Sequence, residues 1–121
     1  MPKETQAQRR ARELAEVAKQ QAQWEAERPV RLLQALALAR DLGVEARVYN
    51  RYVDEMYYSF RFDDCVYSEP VVELGECAMN FFEGKLQEER LAQQRRRHLD
   101  QVRQDTLAEL SDEQKEALGL L

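Results

Sequence analysis

The chain has 121 residues, of which 44% are hydrophobic and 34% are charged, and its formal net charge is −5. This length predicts one modest core, and no run of residues is apolar enough to span a membrane. The N-terminal residues include Lys3 but no apolar stretch, so no secretory signal is expected. The two cysteines, Cys65 and Cys77, are too few for a disulfide framework, and we expect them to be reduced and buried in a cytoplasmic protein.

The charge is distributed unevenly along the chain. Residues 1–40 carry a net charge of +3, residues 41–83 carry −7 and residues 84–121 carry −1. Domains that bind nucleic acid are typically basic, so the acidic middle argues against a nucleic-acid-binding core.

The first predicted element is a polar helix over residues 4–28, whose apolar stripe is mostly alanine. Pro29 lacks the amide N–H that a helix interior needs, which predicts a break and a second helix from Val30 to Leu42. Gly43 favours the left-handed conformation that commonly ends a helix. The second helix is expected to supply core residues: Leu32, Leu33, Leu36, Ala37, Ala39 and Leu42.

Two segments then alternate with a period of two, which is typical of half-buried strands. They cover residues 44–49 and 56–62, and the polar residues between them predict a hairpin connection. Asp63 and Asp64 indicate another turn, and residues 65–67 form a candidate third strand. The expected fold class is α+β: mostly helical, with a central antiparallel β-hairpin flanked by long N- and C-terminal helices.

A long helix is predicted to begin at Ser68, as N-cap, with Pro70 in the first turn. Its apolar face thins beyond Leu86, and Ser111 then opens a capping box for a short last helix. We therefore expect a single domain over residues 1–121. It would comprise a polar helical arm over 4–28, a helix–hairpin–helix core over 30–86, and a second arm with the last helix over 87–121.

The residues that enzymes need are scarce. The one histidine, His98, lies in a basic helical turn without a cysteine or serine nearby to pair with. The cysteines lack metal-ligand spacing, and the four glycines are too scattered to form a phosphate-binding loop. We therefore expect no catalytic site, no cofactor and no metal.

Three surfaces are candidates for binding. Tyrosine and arginine, which are enriched at interface hot spots, lie on the outer face of the hairpin. Acidic residues at the turns could form a rim, and arginines in the second arm could form a basic patch. Each has a simpler interpretation as ordinary solvated surface. The outer face comprises Arg47, Tyr49, Tyr57, Ser59 and Arg61; the rim comprises Asp54, Glu55, Asp63 and Asp64; the basic patch comprises Arg90, Arg95, Arg96, Arg97 and Arg103.

The C-terminal run from Thr106 to Leu120 resembles the tails of many small phage and prophage open reading frames. This resemblance implies a phage accessory protein, a class that often acts by binding host machinery.

Our leading hypothesis is therefore a non-enzymatic protein that binds and occludes a partner, such as a host defence or transcription complex. Self-assembly through paired helical arms, as in a homodimer, is the first alternative. Binding of nucleic acid through the arginine clusters is the second, and no membrane partner is expected.

Overall fold

The structure is a computed structural model that describes residues 3–120. Three helices and a three-stranded antiparallel sheet confirm the predicted α+β class. The chain divides into two compact units: the first unit extends to Leu86 and the second unit begins at Gln87. In chain order the elements are α1 (Gln6–Leu42), β1 (Ala46–Tyr52), β2 (Glu55–Phe62), β3 (Cys65–Pro70), a 3-10 turn (Val71–Glu73), α2 (Glu76–Glu109) and α3 (Asp112–Ala117).

The sheet is a meander in the order β1-β2-β3, so the candidate third strand is confirmed. Tyr52 pairs with Glu55 and Phe62 pairs with Cys65, which leaves two-residue turns between the strands. Asp54 and Asp63 hold positive φ angles of 67° and 54° in those turns. Aspartate tolerates this left-handed region better than most residues, which explains the Asp-rich connections.

The inner face of the sheet carries the core. Tyr58 and Phe60 of β2 are 1% and 0% exposed, and both contact Phe82 of α2. The rings of Phe60 and Phe82 are stacked with centroids 4.6 Å apart. The alternation predicted for β2 therefore places Tyr58 and Phe60 on the buried face, as expected. Met56, which the same alternation placed on that face, is 43% exposed.

The predicted helix break at Pro29 is wrong, because α1 continues from Gln6 to Leu42. A proline inside a helix removes one hydrogen bond and costs about 3 kcal/mol. Contacts on both sides of Pro29 offset this cost, since Trp24 precedes it and Leu32 follows it in the same buried cluster. A break at Pro29 would separate the contacts of Trp24 from those of Leu32. On the predicted core helix, Leu33 is 66% exposed, so its buried stripe is narrower than expected.

Trp24 attaches α1 to the rest of the first unit. The sequence pattern, in which the apolar stripe is mostly alanine, did not predict this role. The Trp24 indole Nε1–H donates to the carbonyl oxygen of Leu74 at 2.9 Å, and Arg28 Nε donates to the same oxygen at 3.0 Å. Leu74 itself is fully buried. The guanidinium groups of Arg28 and Arg31 lie 5.8 and 5.3 Å from the Trp24 ring. Trp24 and Arg28, which fall within the predicted arm, are therefore attached to the core.

Arg31 extends this attachment to α2. Its Nε and Nη2 donate to the two carboxylate oxygens of Glu83, and Nη2 also donates to Asn80 at 2.7 Å. The hydrogen bond to Glu83 is the main cause of the raised pKa of Arg31. This two-pronged geometry is the strong arrangement for arginine and carboxylate.

The predicted helix start at Ser68 is also wrong. Residues 65–70 form β3, and Ser68 pairs with Ser59 in the sheet. After the 3-10 turn, α2 begins at Glu76 and buries Met79, Phe82 and Leu86. Pro70 ends a strand here because its missing N–H is tolerated at a sheet edge.

Both cysteines are free, but the expected burial is wrong, since Cys65 and Cys77 are exposed. Cys65 pairs with Phe62 on the inner face but lies at the exposed end of β3, the edge strand, and Cys77 lies in the first turn of α2.

The predicted short last helix with its capping box is confirmed. Ser111 caps α3, its hydroxyl accepts from Gln114 N, and the Gln114 side chain accepts from Ser111 N. At the end of α1, Gly43 adopts the predicted left-handed conformation with φ of 74°.

We expect Trp24→Ala to lower the free energy of unfolding by about 3–5 kcal/mol, because it removes a large buried side chain and the indole hydrogen bond. Leu33→Ala on the same helix is the control; Leu33 is 66% exposed, and its truncation should cost within about 0.5 kcal/mol. Urea denaturation followed by far-UV circular dichroism measures both. Equal midpoints for the two variants would contradict the role given to Trp24.

Burial, and then the hydrogen bond that Tyr58 donates to Glu69 at 3.0 Å, raise the pKa of the Tyr58 phenol. The folded state therefore holds this proton more tightly than the unfolded state. The resulting stability is complete below the ordinary tyrosine pKa of about 10 and is lost as the pH rises above it.

We expect Tyr58→Phe to lower stability by about 1–2 kcal/mol near neutral pH, through loss of that hydrogen bond. Its unfolding free energy should then decline less steeply than that of the wild type between about pH 9 and pH 11. Tyr52→Phe, whose ring is 59% exposed, controls for removing one phenol. Parallel pH profiles of Tyr58→Phe and the wild type would refute this role of Tyr58.

Candidate partner-binding surface

The five residues predicted for the outer face do lie together on one side of the sheet. Tyr49 pairs with Tyr57 and Arg47 pairs with Ser59 across β1 and β2. Arg61 follows Ser59 by two residues, so it shares the same face. The core elements pack against the other side, and this side faces solvent.

Arginine and tyrosine side chains contact one another along this face. The Arg47 guanidinium lies 4.7 Å from the Tyr49 ring centroid, and the Tyr49 and Tyr57 centroids are 5.9 Å apart. Arg51 lies 5.4 Å from Tyr57 and 5.6 Å from Tyr52. These contacts hold the extended side chains against one another. We call this set the Arg/Tyr array: Arg47, Tyr49, Arg51, Tyr52 and Tyr57.

Beside the Arg/Tyr array is an open groove of about 460 Å³, lined by Glu45, Arg47, Ser59, Arg61 and Val66 among others. In its lining, Arg61 Nη1 lies 3.5 Å from Glu45 Oε2, and the Arg61 amide N–H donates to the Glu45 carbonyl oxygen at 2.9 Å. The groove is open to solvent and is lined mostly by charged and polar side chains.

Hydroxyl groups add polar contacts to the same surface. The Tyr49 hydroxyl lies 2.7 Å from Ser68 Oγ, which joins β1 to β3 across the outer face. Exclusion of water by its neighbours, with Glu55 adding, raises the pKa of Tyr57. The Tyr57 phenol is therefore a neutral hydrogen-bond donor at physiological pH.

The four residues of the predicted acidic rim are divided between two places. Asp54 and Glu55 lie at the β1–β2 turn, whereas Asp63 and Asp64 form the β2–β3 turn. These turns are at opposite ends of β2, roughly 25 Å apart by the rise of a strand. The acidic residues thus form two tips and not one continuous rim.

The arginines of the predicted basic patch are all on α2, in the second unit. The helical period puts Arg90 and Arg97 on one side and the remaining three on the opposite side. Arg96 is 3.2 Å from Glu89, and Arg103 is 3.8 Å from Asp100. Carboxylates interspersed in this way reduce the net positive field that an anionic partner would meet.

Sequence reasoning missed Arg51 and Tyr52, which it assigned to the hairpin connection. β1 continues through both, with a register irregularity between Asn50 and Tyr52. The signal was present, because Arg47, Tyr49 and Arg51 continue one strict alternation.

Within residues 3–120, no three His, Cys, Asp or Glu side chains are grouped to hold a metal ion. His98 lies exposed on α2. No helix in this part of the chain is long and apolar enough to cross a bilayer.

Comparisons of the chain with protein-family models, with curated proteins and with solved structures found no match. A partner can therefore be inferred only from the surfaces of the molecule itself.

Proposed function

We propose that this chain is a non-enzymatic protein-binding module that covers a functional site on its partner, and that the outer face of the sheet makes the contact. The observation that carries this proposal is the Arg/Tyr array, with Arg61 beside it. The C-terminal resemblance supports a more specific form, in which a phage-encoded inhibitor occludes a host defence or transcription complex.

The chemistry of the array suits a protein interface. Tyrosine and arginine bury large areas with few rotatable bonds, and they dominate interface hot spots. Here cation–π contacts at 4.7–5.6 Å already order the side chains. Less conformational entropy is then lost on binding, so more of the contact energy contributes to affinity.

The local charge of this face supports an acidic partner surface. Arg47, Arg51 and Arg61 are positive, whereas Glu45 is the carboxylate that lines the groove beside them. Glu55, which pairs with Tyr52, is a second carboxylate on this face, so three arginines exceed two carboxylates and the face carries a net +1 although residues 41–83 carry −7 as a whole. A partner surface with exposed carboxylates and a projecting apolar side chain would complement it.

Single-stranded nucleic acid is a second candidate for the same face, since arginines and stackable tyrosines favour it. The ring contacts weigh against it. Arg47 already covers Tyr49, and Arg51 contacts both Tyr52 and Tyr57. Bases would have to displace these guanidinium groups before stacking, so an acidic protein surface is the better match.

We expect the double variant Tyr57→Ala, Arg61→Ala to lose its partner when the tagged chain is used to capture proteins from a bacterial lysate. The expected wild-type result is one stoichiometric protein that survives nuclease treatment and is identified by mass spectrometry. The control is Arg90→Ala, Arg97→Ala, which removes equal bulk from α2 and should retain the partner. Far-UV circular dichroism confirms that both variants remain helical.

Other outcomes of that capture are equally informative. Equal capture by Tyr57→Ala, Arg61→Ala and the wild type would refute the outer face as the site. A partner set lost on nuclease treatment would favour nucleic acid, and loss in the α2 control alone would move the site to the arginines of α2.

Self-assembly has its own supporting observation. Leu14 and Val17 of α1 are 70% and 58% exposed and, with Arg10 and Glu13, line a shallow apolar depression of about 340 Å³. Exposed apolar residues at helical spacing are typical of helix–helix interfaces.

If the chain self-assembles, Leu14→Ser with Val17→Ser should convert the oligomer to a monomer in sedimentation velocity. These two changes spare Trp24, whereas deletion of residues 1–28 would remove it and disturb the core. The matched control is Leu33→Ser, at a position 66% exposed on the same helix. A wild type that sediments as a monomer at high concentration would eliminate this alternative.

A further inference from the structure

β3 is an exposed sheet edge. It pairs with β2 on one side, and within residues 3–120 no strand pairs with its other side. Every residue from Cys65 to Glu69 is exposed. Such an edge presents backbone donors and acceptors that can pair with an added strand.

A groove of about 390 Å³ runs directly beside this edge. The consecutive residues Val66–Glu69 all line it, although their side chains alternate between faces, so the strand edge itself forms one wall. Ala78, Phe81 and Phe82 at the start of α2 form the opposite wall. A strand added to β3 would therefore direct alternate side chains into the groove.

The groove is lined by the aromatic rings of Tyr67 and Phe81 and, further along β3, by the carboxylate of Glu69. Tyr67 and Phe81 are 36% and 42% exposed, and their ring centroids are 5.3 Å apart. Glu69 follows Tyr67 by two residues on the same face of β3, about 7 Å away. Its exposed carboxylate accepts a hydrogen bond from Tyr58 and can accept others.

Charge indicates the kind of occupant. Asp63 and Asp64 precede β3, Glu69 lies within it, and Glu73 follows it. A second copy pairing through its own β3 would bring these carboxylates against each other, which is unfavourable. A basic segment of another protein would find complementary charge.

We propose that the β3 edge binds an extended segment of another protein by strand addition. The segment carries an aliphatic or aromatic side chain that packs against the exposed parts of the Tyr67 and Phe81 rings. A lysine or arginine two residues away in the segment lies opposite Glu69. This site is on the edge and inner face of the sheet, so it is distinct from the Arg/Tyr array and does not depend on it.

The test is a selection of randomised peptides of about ten residues, the length of a strand with short flanks, against the full chain. Enriched peptides should share an apolar residue two positions from Lys or Arg. Synthetic copies should bind Phe81→Ser and Glu69→Lys at least about tenfold more weakly than the wild type. Replacing Lys or Arg of the peptide by Glu should restore binding to Glu69→Lys. Leu33→Ser is the control that should bind as the wild type does.

Peptides methylated on alternate backbone nitrogens test strand addition with no change to the protein. One set of methylated positions should abolish binding and the other should spare it, because only alternate amides face the edge. Absence of the shared spacing, or equal binding of both methylated sets, would overturn the proposal. The variant Tyr57→Ala, Arg61→Ala should still bind the peptides, which separates this site from the proposed function.

Discussion

The carbonyl oxygen of Leu74 is the point on which the first unit depends. It accepts hydrogen bonds from Trp24 and Arg28, which are separated from it by about fifty residues of chain. A helix as polar as α1 has little apolar area to bury, so propensity alone would not hold it against the sheet. Two donors on one buried acceptor, with the Arg31–Glu83 pair beside them, fix its position and rotation.

This attachment determines which surfaces remain available. Both α1 and the beginning of α2 contribute to the cluster on the inner face, where Phe82 contacts Tyr58 and Phe60. A three-stranded meander covered on one face keeps its outer face and its strand edges open. The outer face is basic and aromatic, whereas the β3 edge is apolar and acidic. A small protein thus presents two surfaces with opposite charge preferences.

Sequence patterns predicted those parts of the fold that local chemistry decides. The alternation through Tyr58 and Phe60 identified the inner face, and the same alternation placed Arg47, Tyr49 and Tyr57 together outside. Gly43 and the Ser111 capping box ended and began helices as their backbone chemistry requires.

The failures have a common cause, which is that long-range contacts overrode local preference. Pro29 should end a helix, but buried neighbours on both sides keep it helical. Ser68 and Pro70 imitate a helix start, yet pairing with β2 makes them a strand. The role of Trp24 was not predicted because its hydrogen-bond acceptor, the Leu74 carbonyl oxygen, is a backbone atom far along the chain. No local pattern encodes such a contact, nor the exposure of Cys65 and Cys77.

Trp24 has one more consequence, because it is the only tryptophan in the chain. Its indole is 9% exposed and its N–H is bound, so it emits from a largely water-free position. Detachment of α1 would expose the ring and shift its emission to longer wavelength. The tryptophan fluorescence of this protein therefore reports the docking of α1 beside Leu74. A partner that loosens α1 becomes visible without any label.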